Sequence, residues 1–309
     1  MTSMKKLITA TVLTGICSCS MFALAEEVYP DHTQRSTESE TDTSSADQDP
    51  WILETDTTYD LDLDADGTAE AISFQSHMDD SDDQCKAILD LYVNGQQVWS
   101  ATDENWSYSW RVCQCPLEDG SACLLAASIS DNDWTNQTLL LARTEDSFQV
   151  LADLSDLSRE TEENTDRLLS GWARADSILS ADGTSFTVAW YDTLYSAGMM
   201  QIPVTYEVTD GTVTQSEDPV SLDESKSWTV WHSFNVLDAP ESETLLYQAT
   251  PGEILHLTGM QLLSGHRWLK CENESGQEGW FMDPEEFISE TQEDGNMLFG
   301  YFEEAAFAG

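Results

Sequence analysis

Ala87-Ile-Leu-Asp-Leu-Tyr-Val93-Asn94-Gly95-Gln96-Gln-Val-Trp99 decides the fold. Two runs of aliphatic, aromatic and β-branched residues flank Asn-Gly, a pair that accepts positive φ and so matches the right-handed twist of two joined strands. The segment reads as a β-hairpin, and the same grammar recurs downstream. Residues 123–129 (Cys-Leu-Leu-Ala-Ala-Ser-Ile) form an apolar strand after Asp119-Gly120, and 138–142 meets 147–151 across the acidic turn Thr144-Glu-Asp146. Asp182-Gly183 joins 177–180 to 184–190, and Asp210-Gly211 joins 202–208 to 212–214. Short runs at turn-marked spacing predict a mostly antiparallel β domain over residues 51–217.

A loose repeat of strand, acidic loop and hairpin is read at 71–99, at 123–151 and, less clearly, at 177–214. Asp79-Asp80-Ser-Asp82-Asp83 is the acidic loop of the first unit and Ser130-Asp131-Asn-Asp133-Trp134 that of the second. The spacing resembles propeller blades, but the units are too few to close a ring of about four to eight. The expected fold is all-β: an antiparallel sheet or sandwich of blade-like hairpins, followed by a small β-barrel. One helix is expected, at 155–175, where Leu157, Leu168, Leu169 and Trp172 supply an apolar face.

Upstream of the first hairpin lies Asp60-Leu-Asp62-Leu-Asp64-Ala-Asp66-Gly67-Thr68-Ala-Glu70. Carboxylates at every second position repel one another unless a cation sits among them. The stretch reads as a Ca²⁺ loop, with side-chain oxygens from Asp62, Asp64 and Asp66, a turn at Gly67, the carbonyl of Thr68 and the carboxylate of Glu70. These are hard oxygen ligands of the kind Ca²⁺ collects in sets of about six to eight. Ser73 stands where an EF-hand needs its bidentate glutamate, and an apolar strand follows in place of a helix. The frame Asp-x-Asp-x-Asp-Gly-x-x-Glu resembles the strand-loop-strand calcium loops of integrin-type (FG-GAP) and VCBS-like repeats in bacterial surface proteins. The competing reading is a solvated acidic turn.

Composition narrows the partners. Twelve basic residues stand against 58 acidic ones in 309, a formal charge of -46, which argues against nucleic acid or an anionic membrane surface. Lys5-Lys6, an apolar run at 7–24 and Ala23-Leu-Ala25 form a secretory signal cleaved after residue 25. Alternatively Ile16-Cys-Ser-Cys19 serves as a lipobox, with a lipid anchor on Cys19. No later run approaches the roughly 20 apolar residues of a membrane span, so the expected location is secreted, with or without that anchor. Residues 26–50 are Ser, Thr, Asp and Glu with hardly an apolar side chain, and are expected to be a disordered spacer. Cys85, Cys113, Cys115, Cys123 and Cys271 follow. Their connectivity is not legible, beyond the observation that Cys113 and Cys115 share a strand face and are too extended to bond each other.

After a polar link at 218–227 comes a second unit, 228–288, built from short apolar runs and turns, then an acidic, aromatic tail at 289–309. Asn235-Val-Leu237, Pro251-Gly-Glu253 before an apolar run, Arg267-Trp-Leu-Lys270 and Gly276-Gln-Glu-Gly-Trp280-Phe281 together resemble a bacterial SH3-like (SH3b) domain. Asp238-Ala-Pro-Glu241 departs from the arginine and small-residue turn usual there. The resemblance implies a small barrel that binds cell-wall peptide or another surface ligand, and places Pro251, Gly252, Trp268, Gly279 and Trp280 at family positions. Trp268 and Trp280 are the ligand candidates it supplies.

Trp106-Ser-Tyr108-Ser-Trp110 is a second candidate: in a strand its aromatics share one face, forming a platform for sugar rings or a partner. The alternative makes that face the core. Chemistry is less legible. Of His32, His77, His232, His256 and His266, a cysteine hydrolase would need His232 or His256 with Cys85, around which nothing resembles a nucleophile motif, and 58 acids give a carboxylate pair almost anywhere. The favoured reading is an exported, non-catalytic surface protein with a Ca²⁺-stabilised β domain and a ligand-binding SH3-like module. A secreted cell-wall or glycan hydrolase and a structural, lipid-anchored interaction protein are the alternatives.

Overall fold

The Asn94-Gly95 hairpin forms as read. In the computed structural model these residues hold φ of 52° and 78° and join Ala87–Val93 to Gln96–Asp103. The structure describes residues 52–79, 85–116, 122–130, 135–161, 164, 166–286, 288–291 and 297–305. The signal segment 1–25 with Cys19, the spacer 26–50, most of the acidic loop at 79–83, Asp119-Gly120 and the loop at 131–134 lie outside the described residues.

Ile52–Leu53 (β1), Thr58–Leu61 (β2), Glu70–Met78 (β3), Ala87–Val93 (β4) and Gln96–Asp103 (β5) open the chain. Strands β2 to β5 form an antiparallel meander in chain order. Ser107–Pro116 (β6), Ala122–Ser130 (β7), Thr135–Arg143 (β8) and Phe148–Asp153 (β9) form a second, with β1 added beside β6. After the short helix Leu154–Ser158 (α1), Arg174–Ala181 (β10), Ser185–Leu194 (β11), Gly198–Thr209 (β12) and Thr212–Gln215 (β13) form a third.

Then come Val220–Ser221 (β14), Ser227–Thr229 (β15), Phe234–Leu237 (β16), Leu245–Ala249 (β17), Ile254–Leu263 (β18), His266–Asn273 (β19) and Glu278–Met282 (β20). They build a seven-stranded antiparallel sheet in the order β14-β18-β19-β20-β16-β17, with β15 also on β18. Ser289–Thr291 (β21) and Met297–Phe299 (β22) pair near the end. The protein is all-β with several antiparallel sheets, and none of the described sheets closes on itself.

The second meander is the buried middle layer. Leu124, Ala126, Leu139 and Leu141 face a cluster shared with Ile72, Phe74, Leu89 and Leu91 of the first sheet. Cys113, Cys115, Cys123, Leu125 and Leu140 face the opposite way, into a cluster that continues through Trp190 and Tyr206 of the third sheet to Trp228, Phe281 and Phe302. Burial on both faces explains why 122–127 is apolar without alternation, and full burial of each such leucine contributes about 1.5–3 kcal/mol.

The helix expected at 155–175 is only Leu154–Ser158, capped by the Asp153 carboxylate, which accepts from the Ser155 N–H. Arg159 turns extended, with φ -95° and ψ 144°, and its guanidinium donates to the carbonyls of Thr135, Asn136 and Ala173. Glu160 N–H to Leu169 C=O (2.9 Å) and Leu169 N–H to Ser158 C=O (2.9 Å) then close the segment into a loop. Leu168 and Leu169 are buried while Trp172 is 74 % exposed, so the four apolar residues share no helical face.

The polar link at 218–227 also carries structure: β14 pairs with β18 and Leu222 is buried. The tail docks, since Tyr301 N–H donates to Ser196 C=O (2.7 Å) and Phe302 is fully buried against Trp228, Phe234 and Phe281.

Candidate functional site

Between β2 and β3 the acidic loop turns on Ala65 (φ 59°) and Gly67 (φ 84°). Inward-facing amides hold its carboxylates. Gly67 N–H donates to Asp62 Oδ2 (3.0 Å), Asp66 N–H to Asp64 Oδ1 (3.2 Å), and Leu63 N–H to Glu70 Oε2 (3.3 Å). Asp62, Asp64 and Glu70 each present an oxygen within 4.8 Å of the others. Asp62 Oδ1 is buried and has no hydrogen-bond partner among the described residues. A buried carboxylate oxygen without a donor costs free energy that a cation would recover.

Of the four expected carboxylates, three converge. Asp66 lies outside the converging group and its Oδ1 accepts from Thr68 N–H (2.7 Å). Asp66 and Thr68 are both exposed on the outer turn.

The aromatic platform at 106–110 does not form. Trp106 sits in the turn before β6 with φ 54°, and the pairing of β6 with β7 shifts register between Ser107 and Ser109. That irregularity breaks the alternation. Trp106 is 60 % and Tyr108 38 % exposed, whereas Trp110 is 5 % exposed and donates its indole N–H to Ala87 C=O (3.0 Å).

In the last sheet Trp268 is buried at 6 % exposure, with its indole nitrogen lacking a partner among the described residues. It is a core side chain. Trp280 is half-buried on β20 and lines a cleft of about 320 Å³ with Lys270, Glu278, Glu224 and Thr258. Lys270 Nζ pairs with Glu278 Oε2 at 2.7 Å, and Thr258 Oγ1 is buried without a hydrogen-bond partner among the described residues. An apolar ring, a charged pair and an unsatisfied hydroxyl in one cleft suit a polar ligand with a hydrocarbon part. The sequence marked Trp280 but not Thr258, which came to the cleft only through the pairing of β18 with β14.

Thiols and imidazoles are otherwise engaged. Cys115 lies directly opposite Cys123 on the neighbouring strand, and burial first, with Cys123 and Cys113 adding to it, pushes the Cys115 thiol up to about 12. Cys271 is also pushed to about 12 by burial. His77 faces Asp90 (3.8 Å), His266 faces Glu285 (3.2 Å), His256 Nδ1 meets Glu224 C=O (3.1 Å) and His232 stacks on Tyr301.

A second buried polar cluster joins the third sheet to the last. Arg267 on β19 reaches Asp192 Oδ2 of β11 (3.3 Å) and Asp283 Oδ2 (3.2 Å). Asp283 also accepts from Tyr195 N–H (3.2 Å), Ser196 N–H (2.8 Å) and Ser196 Oγ (2.6 Å). Burial raises the Asp283 pKa, against the pull of Arg267 and the Ser196 donors. The described helices include none long and apolar enough to cross a membrane. Comparison with protein-family models, with curated proteins and with solved structures gives no match in any of the three.

Proposed function

We propose that this is an extracellular, non-catalytic surface protein whose first β-sheet is clamped by Ca²⁺ and whose C-terminal, SH3-like sheet binds cell-wall peptide or another surface ligand in the Trp280 cleft. The observation that carries the calcium part is the donorless Asp62 Oδ1, set beside oxygens of Asp64 and Glu70 within 4.8 Å. The ion's role is structural: it ties the β2–β3 turn closed and removes the repulsion among the carboxylates. Asp66 and the Thr68 carbonyl would complete the shell from the outer turn.

Support for the ligand part is the Trp280 ring beside the Lys270–Glu278 pair and the Thr258 hydroxyl. A peptide with both charged ends and an aliphatic segment meets those groups.

The test is thermal melting with calcium, with magnesium and with chelator. Binding to the folded state alone adds about 2.7 kcal/mol at a hundredfold excess over Kd, a rise of about 5 °C for a chain of this size. Calcium is expected to raise Tm in the parent and not in Asp62→Ala. An unchanged parent melting curve defeats the calcium reading. Calorimetric titration with soluble muropeptides, on the parent and on Trp280→Ala, tests the cleft separately.

A further inference from the structure

We infer that the open edge of β13 is a docking site for an extended peptide ending in a free carboxylate, with Arg167 receiving that carboxylate. This site is distinct from the calcium loop and the Trp280 cleft, and its success or failure leaves both untouched.

Among the described residues β13 is the last strand of the third sheet and is hydrogen-bonded to a strand on one side only, with β9 and α1 packed beside it. Thr209 and Thr212 flank the two-residue turn Asp210-Gly211, and Ser216 N–H donates to Thr205 C=O (2.9 Å). Alternation along an antiparallel pair therefore turns the backbone groups of Thr212, Thr214 and Ser216 toward β12, and those of Val213 and Gln215 outward. The outward edge runs along a cleft of about 660 Å³, inside the range of about 300–1,000 Å³ common to ligand sites.

The opposite walls supply what an incoming strand needs. Leu157, Leu168 and Leu262 are apolar, and Leu168 is already buried at 4 % exposure. Arg167 lines the same cleft, its Nε buried and without a hydrogen-bond partner among the described residues. Among the described residues it makes no ion pair either. Asp166, Glu217 and Asp218 line the same cleft, yet in a chain with 58 acidic and 12 basic residues a guanidinium with no carboxylate partner among the described residues is an anion-binding group still to be filled. Glu217 and Asp218 stand further along the edge and favour a basic side chain in the same peptide. Strand addition gives the main-chain bonds, the leucines take alternate side chains, and the charged ends fix direction.

The experiment uses the full chain and a fluorescein-labelled hexapeptide, Gly-Lys-Thr-Val-Thr-Leu, as free acid and as C-terminal amide, read by fluorescence anisotropy. The acid is expected to bind at least about tenfold more tightly than the amide, because a charge-assisted hydrogen bond to the carboxylate is lost in the amide. Arg167→Gln is expected to erase that preference, and Gln215→Pro, which removes an outward N–H at an edge position where proline is tolerated, to weaken both peptides. Far-UV circular dichroism checks that each variant folds. If Gln215→Pro does not, the acid–amide comparison in the parent and in Arg167→Gln still decides. Equal affinity for acid and amide in the parent, no binding of either, or an unchanged preference in Arg167→Gln overturns the proposal. So does concentration-dependent self-association abolished by Gln215→Pro, which would assign the edge to a second copy of the chain.

Discussion

Replacing Arg267 by methionine removes the cation from between two carboxylates that have almost no access to water. The Asp192 side chain is 0 % and the Asp283 side chain 2 % exposed, and Arg267 itself is 12 % exposed. Breaking a buried pair by deleting one partner costs about 3–5 kcal/mol. Here the lower end applies. Asp192 keeps Ser170 N–H (2.8 Å) and Thr193 N–H (2.7 Å), and Asp283 keeps the Tyr195 and Ser196 donors. A loss of about 3 kcal/mol lowers Tm by about 6 °C. The pH dependence has a definite sign. Arg267 is the strongest influence holding the Asp283 pKa down against burial, so its removal raises that pKa further. A carboxyl whose folded pKa exceeds its unfolded one contributes stability that is complete below the unfolded pKa and lost as pH rises through the folded one. The deficit of Arg267→Met is therefore largest near neutral pH and shrinks on acidification, with Glu160 nearby contributing in the same direction because burial raises its pKa too. Urea denaturation at several pH values measures it, and the triple variant Arg267→Met, Asp192→Asn, Asp283→Asn should recover most of the loss at pH 7. A deficit below about 1 kcal/mol, or one that grows toward acid, refutes the assignment of this cluster as a buried lock.

Phe302→Ala is expected to cost about 3–5 kcal/mol, because the ring is fully buried against Trp228, Phe234 and Phe281; a change under 1 kcal/mol in urea melts would show the tail to be dispensable. In the reduced, folded protein Cys85, which is half-buried, should react with iodoacetamide well before Cys115 and Cys271. With thiols pushed to about 12, only about one part in ten thousand is thiolate at pH 8. Peptide mapping that finds Cys115 labelled as fast as Cys85 contradicts its burial.

Local signals were legible where the physics is local. Asn94-Gly95 and Asp210-Gly211 specify positive φ at both residues of a two-residue turn, and both turns hold it in the structure. The unbroken apolar run at 123–127 announced a strand, though not that it would lie between two cores. The helix at 155–175 failed because its leucines are spaced plausibly for one face, while the deciding contacts are Arg159 to carbonyls of β8 and Ser170 to Asp192. A tertiary hydrogen bond overrides a weak helical preference. The platform at 106–110 failed for a related reason: a single irregularity in register moves every following side chain to the other face, and nothing in Trp106-Ser-Tyr108-Ser-Trp110 marks it.

The calcium loop and the Arg167 edge differ in how far sequence can reach them. Asp62, Asp64 and Glu70 lie within nine residues, so their convergence is a property of one turn and its spacing already contains it. Arg167, Gln215 and Leu262 come from three separate segments, and the cleft among them exists only in the folded chain. The third and last sheets are also tied together by Arg267 between Asp192 and Asp283, partners separated by 75 residues in one case. It follows that weakening the lock should disturb peptide docking at the β13 edge while leaving calcium binding at the β2–β3 turn intact. A variant such as Arg267→Met, measured by both anisotropy and calcium-dependent melting, separates a long-range site from a local one in the same molecule.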